Sequence, residues 1–368
     1  MAASDSEIYG LIQASGAGQI DDDVRFRLLE TLWRKHYRPD TGKADFAWFP
    51  LFEIYVARQQ DDKARQVAAA LTDPKSLIRL RCDQRYARFA PYGPGHGDFN
   101  AALDASLAGY RHAMQKNPRS LLALNTYASA LMNAARLDDA QAEVDAAMAR
   151  LRSASGAKAA FDDADTQQPW LYDLQSDILV RRDDDQAKVA ELEKARDAAA
   201  KNVAPDADTV SQRLNLGNLY VAQEHSQDAL NEVSGVDRSN ASAYGVMVAR
   251  KVEACAYAQL GDAVHLDASL TYLKAHIADS FGAVRIALEC AGDEDGLAAL
   301  LIRQLDDPMS RNTLLVDLQD YKSTDEETDY QRKLDSVNKA VLARDDVRAA
   351  IARYGEIDSY PVYWALGY

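Results

Sequence analysis

Residues able to do chemistry are scattered along this chain, and few stand close enough in sequence to act together. His96 and Asp98 are two residues apart in the stretch PYGPGHGD. An imidazole beside a carboxylate can shuttle protons or begin a metal site. The same spacing lets Asp98 cap the helix that follows, which is the reading expected here. His36 lies among Arg34, Lys35, Tyr37 and Arg38, a cluster that can receive an acidic group or form the wet end of a helix. The helix end is expected. His265 and His276 share a helix face only if one helix runs unbroken between them, and surface or core-edge positions are expected for both. Cys82, Cys255 and Cys290 share no close metal-ligand spacing and are too few for a disulfide framework. Cys255 and Cys290 fall within apolar helical patterns, which reads as buried thiols.

The aspartate runs Asp21 to Asp23, Asp61 to Asp62, Asp138 to Asp139 and Asp183 to Asp185 invite a calcium reading. None has the loop glycine and terminal glutamate of an EF-hand. Most precede helices or open them, where carboxylates accept hydrogen bonds from free backbone amides. Neither GxGxxG nor a phosphate loop ending in GK with Ser or Thr occurs. With 57 acidic residues, any glycosidase-like carboxylate pair would be an arbitrary choice. No catalytic set, cofactor or metal is therefore expected, and a non-enzyme is the preferred reading.

The elements that must position any site are helical. Apolar residues recur at a 3.6-residue period over almost the whole chain, and no series of alternating strands is evident. The 10 prolines fall mostly between the periodic segments. In Ser120 to Arg152, one helix presents Leu121, Leu124, Tyr127, Ala128 and Leu131. A second carries Ala140, Val144, Ala147, Met148 and Leu151. So short a break between them implies an antiparallel hairpin. The offset from Leu131 to Ala140 recurs from Tyr220 to Ala229 and from Tyr55 to Ala64. A further second helix is expected over Phe99 to Lys116. Its Ser106 precedes Ala140 by about 34 residues, the period of one familiar helical repeat.

In these residues the chain resembles the tetratricopeptide repeat (TPR) family. Leu216, Gly217, Tyr220 and Ala229 match its leucine, glycine, aromatic and small-residue signature, and Ala128, Leu131 and Ala140 match it with substitutions. Anchors at Ala64, Ser106, Ala140, Ala187, Ala229, Ala268 and Ala298 are unevenly spaced, so the array is irregular. The resemblance implies an all-α fold: a right-handed solenoid of antiparallel hairpins with non-repeat caps at both ends. It also implies that first helices hold a peptide or extended chain. Carried over by position, the contacts are Asn125, Ser129 and Asn133 in one unit and Asn215 and Asn218 in another, with Glu53 and Ala57 in the first. An asparagine amide can meet a peptide carbonyl and N–H together. One subclass of the family holds terminal carboxylates with groove lysines, and the matched positions here offer none.

The expected organisation is a helical cap at residues 1–45, an array at 46–305 and a C-terminal cap with an aromatic tail at 306–368. Insertions at 91–98, 153–169 and 199–209 interrupt the array, the second of them solvent exposed. The first cap centres on Val24 to Tyr37, with Phe26, Leu29, Leu32 and Trp33 along one side. The tail residues Tyr360, Tyr363 and Trp364 are expected to pack on the terminal repeats. Trp48, Trp170 and Tyr172 are expected in the core, with an aromatic platform for a small molecule or glycan as the alternative.

A net charge of −15 argues against a nucleic-acid backbone and favours a neutral or basic protein partner over an acidic one. No apolar run is long enough to span a membrane. Met1 to Tyr9 have no basic start and no apolar centre, so cytoplasmic placement is expected for the sequence as written. Periplasmic or secreted placement is expected if a leader has been removed. The function expected is a noncatalytic protein- or peptide-binding scaffold. The alternative is a helical-repeat enzyme or small-molecule-binding protein with its site in the groove or loops.

Overall fold

The computed structural model describes residues 5–16, 21–39, 44–182, 185–201, 206–323 and 328–363. Trp364, Asp183 and Asp184 lie outside them. The chain is mainly helical. In order come α1 (Asp5–Gly16), α2 (Asp22–Arg34), α3 (Asp45–Ala57), α4 (Asp61–Ala68), α5 (Pro74–Cys82), α6 (Phe99–Lys116) and α7 (Leu121–Asn133). Next are α8 (Leu137–Ser153), α9 (Ala157–Ala160), α10 (Ala164–Val180), α11 (Asp185–Ala200), α12 (Asp206–Ala222), α13 (Ser226–Ser234) and α14 (Ala243–Leu260). Last come α15 (Ala263–Ala275), α16 (Phe281–Ala291), α17 (Glu294–Asp306), α18 (Arg311–Asp317), α19 (Asp329–Leu342) and α20 (Asp345–Tyr354). None of the described helices is long and apolar enough to cross a membrane.

Successive helices pack as hairpins: α3 with α4, α10 with α11, α12 with α13, α14 with α15, and α16 with α17. The recurring sequence offset has a backbone cause. Gln59, Ala135 and Glu224 each stand four residues after Tyr55, Leu131 and Tyr220, and all three adopt left-handed φ, at 56°, 57° and 61°. The next residue's N–H then donates back to the carbonyl of Tyr55, Leu131 or Tyr220, at 2.9, 2.9 and 2.8 Å. This is a Schellman closure, which satisfies the last helix carbonyls and reverses the chain. Gly261 and Gly292 make the same closure with glycine. A residue with a Cβ is strained there, so Gln59→Gly, Ala135→Gly and Glu224→Gly should each stabilise the protein by about 0.5–1 kcal/mol in urea unfolding. Destabilisation by all three would contradict this account of the turns.

Caps set where helices begin. Asp21 and Asp98 accept from Asp23 N–H and Ala101 N–H, at 2.8 and 2.9 Å. Contrary to expectation, Asp61 and Asp62 in the first turn of α4 and Asp138 and Asp139 in the first turn of α8 do not cap: those helices have Gln60 and Arg136 at the N-cap, with no side-chain cap bond. PYGPGHGD forms short 3₁₀ turns that end on the Asp98 cap.

The described chain forms two compact units. The first combines Met1–Ala130, Pro308–Asp320 and Ala352–Tyr360. Its centre is an aromatic cluster in which Phe52 meets Tyr86 and Phe89 edge-on, with centroids 5.3 Å apart in both pairs. Asp45 is buried beside α5, where it accepts from Thr72 N–H at 3.0 Å, Asp73 N–H at 3.1 Å and the Ser76 hydroxyl. That carboxylate ties two chain segments together. The C-terminal part returns to the N-terminal part: Gln84 N–H donates to Tyr354 O and Glu356 N–H to Cys82 O. Tyr360 packs on Phe99 of α6, with centroids 5.0 Å apart.

The second unit combines Leu131–Asp307, Tyr321–Ile351 and Pro361–Tyr368. Leu216 and Ala229, two positions of the repeat signature, are fully buried. At Gly217 between them, a Cβ would stand 3.1 Å from Val233 of α13 and 3.4 Å from Val252 of α14. The missing side chain lets three helices approach closely.

Four further expectations are corrected. Cys255 and Cys290 are not separate thiols but a disulfide joining α14 to α16, whereas Cys82 is free and buried. Their separation of 35 residues places them on the first helices of adjacent hairpins. Residues 153–169 are not wholly exposed: they contain α9 and the start of α10, with Phe161 buried beneath the Arg150 guanidinium, while Ser153, Lys158 and Asp165 among others stay exposed. Ala268 is exposed, and Ser269 and Leu273 take the inward positions of α15. Tyr360 and Tyr363 do not pack on the terminal repeats. Tyr363 N–H donates to Asn133 O at 2.9 Å, and its ring meets the Arg181 guanidinium and the Lys322 amine.

Candidate functional site

Within the second unit, α10, α12 and α14 are the first helices of three successive hairpins. Together they bound a cavity of about 470 Å³. Helical periodicity explains its lining. Ser211, Leu214, Asn215 and Asn218 recur at three- and four-residue steps along one face of α12. Tyr244, Val248 and Lys251 do the same on α14, so each wall runs about 10 Å. Trp170 of α10 supplies an aromatic wall, and Asn240 to Ser242 close the end where α14 begins. There the Ser242 side chain caps α14 by accepting from Gly245 N–H at 3.1 Å.

Three polar groups define the cavity's chemistry. Asn218 is only 8% exposed, and its side chain makes no hydrogen bond among the described residues. Its amide is left to meet water or a ligand in the cavity. Asn215 donates from Nδ2 to Asp173 Oδ1 at 3.1 Å. Burial and the neighbouring Asp177 push the Asp173 carboxyl well above its ordinary range, while the Asn215 bond opposes them. Lys251 is only 4% exposed, and its amine has neither a hydrogen bond nor an ion pair among the described residues. Burial pulls its amine down to about 7, and the charge of Glu289 on α16 resists that shift. Glu289 itself is pushed up to about 6 by burial, with Arg285 and Lys251 opposing and Asp335 adding to the rise. The Cys255–Cys290 disulfide lies beside this pair, one turn beyond Lys251 and next to Glu289. Tyr330 brings its hydroxyl 3.2 Å from the Cys290 sulfur.

Of the residues expected to contact a ligand, the structure brings Asn215 and Asn218 into this cavity. Asn125 and Ser129 belong to the first unit, with Asn125 buried and Ser129 half-buried in α7. Asn133 belongs to the second unit but does not line the cavity. Glu53 accepts from the Tyr86 hydroxyl at 3.1 Å, and Ala57 is exposed. Trp48 is buried edge-on against Trp33, a core position. Trp170 faces the cavity, and Tyr172 borders a separate depression with Lys194 and Lys201.

The histidines lie elsewhere. His265 pairs with Asp262 and stacks on Tyr257, while His276 stacks on Tyr272. Among the described residues, no three His, Cys, Asp or Glu side chains converge as a metal site would require. Lys251 is the residue that sequence reasoning missed. It sits in the run VMVARKVEACAYA, among Val248, Val252 and Cys255 at core spacing, and only the cavity distinguishes it from a surface lysine. No protein-family model matches the chain, and no curated protein matches it.

Proposed function

We propose that this protein is a noncatalytic, TPR-like helical-repeat scaffold of right-handed winding that binds a protein or peptide segment at the α10–α12–α14 cavity. The observation that carries the reading is Asn218: a largely buried residue on a first helix, beside Asn215, whose side-chain amide has no protein partner and opens onto the cavity. A peptide bond offers the donor and acceptor that such an amide lacks. The overall charge of −15 favours a segment that is neutral or basic as a whole. Trp170 on the wall favours a second reading, a small molecule or glycan, since about 470 Å³ is a common size for such sites. The disulfide supports periplasmic or secreted placement over the cytoplasm.

The full chain should be screened against capped neutral and basic peptides, with Asn218→Ala in parallel. The variant is expected to lose about tenfold in affinity, one hydrogen-bond pair's worth, while its unfolding midpoint stays put. Equal binding by both proteins, or no peptide bound by the natural chain, would sink the peptide reading.

A further inference from the structure

Lys251 raises a question that a neutral peptide backbone does not answer. Its side chain is buried, lines the cavity and lacks a protein partner, while Glu289 acts on it only across space. Around it stand Leu214 and Val248, which solvate a charge poorly, with Trp170 on the same cavity. A buried amine of this kind either gives up its proton or is completed by an anion delivered from outside.

We infer that the cavity receives a single carboxylate carried on an apolar or aromatic body, with the carboxylate on Lys251 and the body against Trp170, Leu214 and Val248. This deepens the proposed binding function and rests on the same cavity. It also fits a partner that is neutral or basic overall, since one inserted acid leaves the rest of the segment unconstrained. The carboxylate has two sources, an acidic side chain of a peptide or a free organic acid, and the chemistry at Lys251 is the same for both.

Such binding is linked to protonation. The anion needs Lys251 charged, and the amine gives up its proton near pH 7 in the free protein. Glu289 faces Lys251 from α16 and loses its proton near pH 6, adding repulsion in the same direction. Arg285 and Asp335 act on Glu289, and Tyr330 contributes a neutral phenol held well above its usual range by burial and by Glu289. Affinity should therefore fall about tenfold between pH 6 and pH 8.

The test uses the full chain labelled with ¹³C at lysine Cε, with the Lys251 signal assigned by Lys251→Met. Benzoate and benzamide form one pair of probes. Ac-Leu-Glu-Leu-NH2 and Ac-Leu-Gln-Leu-NH2 form the other. The expected result is that at least one carboxylate moves the Lys251 signal, its neutral partner does not, and Lys251→Met weakens that carboxylate at least tenfold. Response to benzoate alone assigns the free acid as the source, and response to the glutamate peptide assigns the side chain. Equal response to charged and neutral partners, or carboxylate binding unchanged in Lys251→Met, overturns the inference. Neutral peptides that still bind through Asn218 while both carboxylates are ignored overturn it too, yet leave the peptide reading standing. Carboxylate binding without any peptide binding supports the inference and sinks the peptide reading instead.

Discussion

Lys251→Met should make the protein more stable at pH 7, by about 3 kcal/mol. The amine titrates near 7 in the folded chain, against an ordinary value of 10.5. Each unit of that difference is worth about 1.4 kcal/mol. The substitution also leaves Glu289 without its cation, which takes back part of the gain. The sign follows from which state holds the proton more tightly. Here the unfolded chain does, so the cost of burying Lys251 is full below pH 7. It declines as pH rises from 7 to 10 and is absent above that range. The natural protein should therefore gain stability relative to the variant across that window, until the two converge. Urea unfolding at pH 7 and pH 10 measures both points. A variant less stable than the natural chain at pH 7 would show that Lys251 is a satisfied core residue. A stabilising change that also removes binding is the signature of a group kept for function at the expense of stability.

The second large effect belongs to the disulfide. Replacing both Cys255 and Cys290 with alanine should destabilise the second unit by about 3–4 kcal/mol, because the bond closes a loop of 35 residues in the unfolded chain. The double variant avoids leaving one buried thiol with no partner. Cys82 is free but buried, so it offers no ready route to exchange. The loss should appear as a lower denaturant midpoint for the second unit. A change below about 1 kcal/mol would mean that packing of α14 on α16 already restricts the unfolded state. Because the bond ties the helix bearing Lys251 to the helix bearing Glu289, the same variant should also bind carboxylates less tightly.

What could be read beforehand followed from local rules. The nine-residue offset marked a backbone turn, and three different residues, Gln59, Ala135 and Glu224, fill its left-handed position. The caps at Asp21 and Asp98 were legible for the same reason, since a cap needs only its own next few residues, whereas Asp61, Asp62, Asp138 and Asp139 stand in the first turns of their helices without capping them. Asn215 and Asn218, chosen by resemblance to a repeat signature, share one face of α12 and line the cavity. Long-range features escaped. Nothing near Tyr363 says that its N–H will meet Asn133, and nothing near Glu356 points to Cys82. The disulfide left a partial trace, because Cys255 and Cys290 stand about one helical-repeat period apart. Irregular spacing over α14 to α17 obscured that trace. Lys251 was hidden most fully, since a lysine within an apolar helix pattern is ordinarily a side chain reaching out to water.

A ligand of this protein should seat in the α10–α12–α14 cavity. Selective ¹⁵N labelling of asparagine gives each side-chain amide its own signal, and a titration with any peptide or carboxylate retained by the full chain then reports the site. The Asn218 and Asn215 amides should move together and saturate at the ligand's own affinity, while those of Asn125 and Asn133 stay in place. Saturable binding that shifts other asparagines and leaves Asn215 and Asn218 unmoved would contradict it.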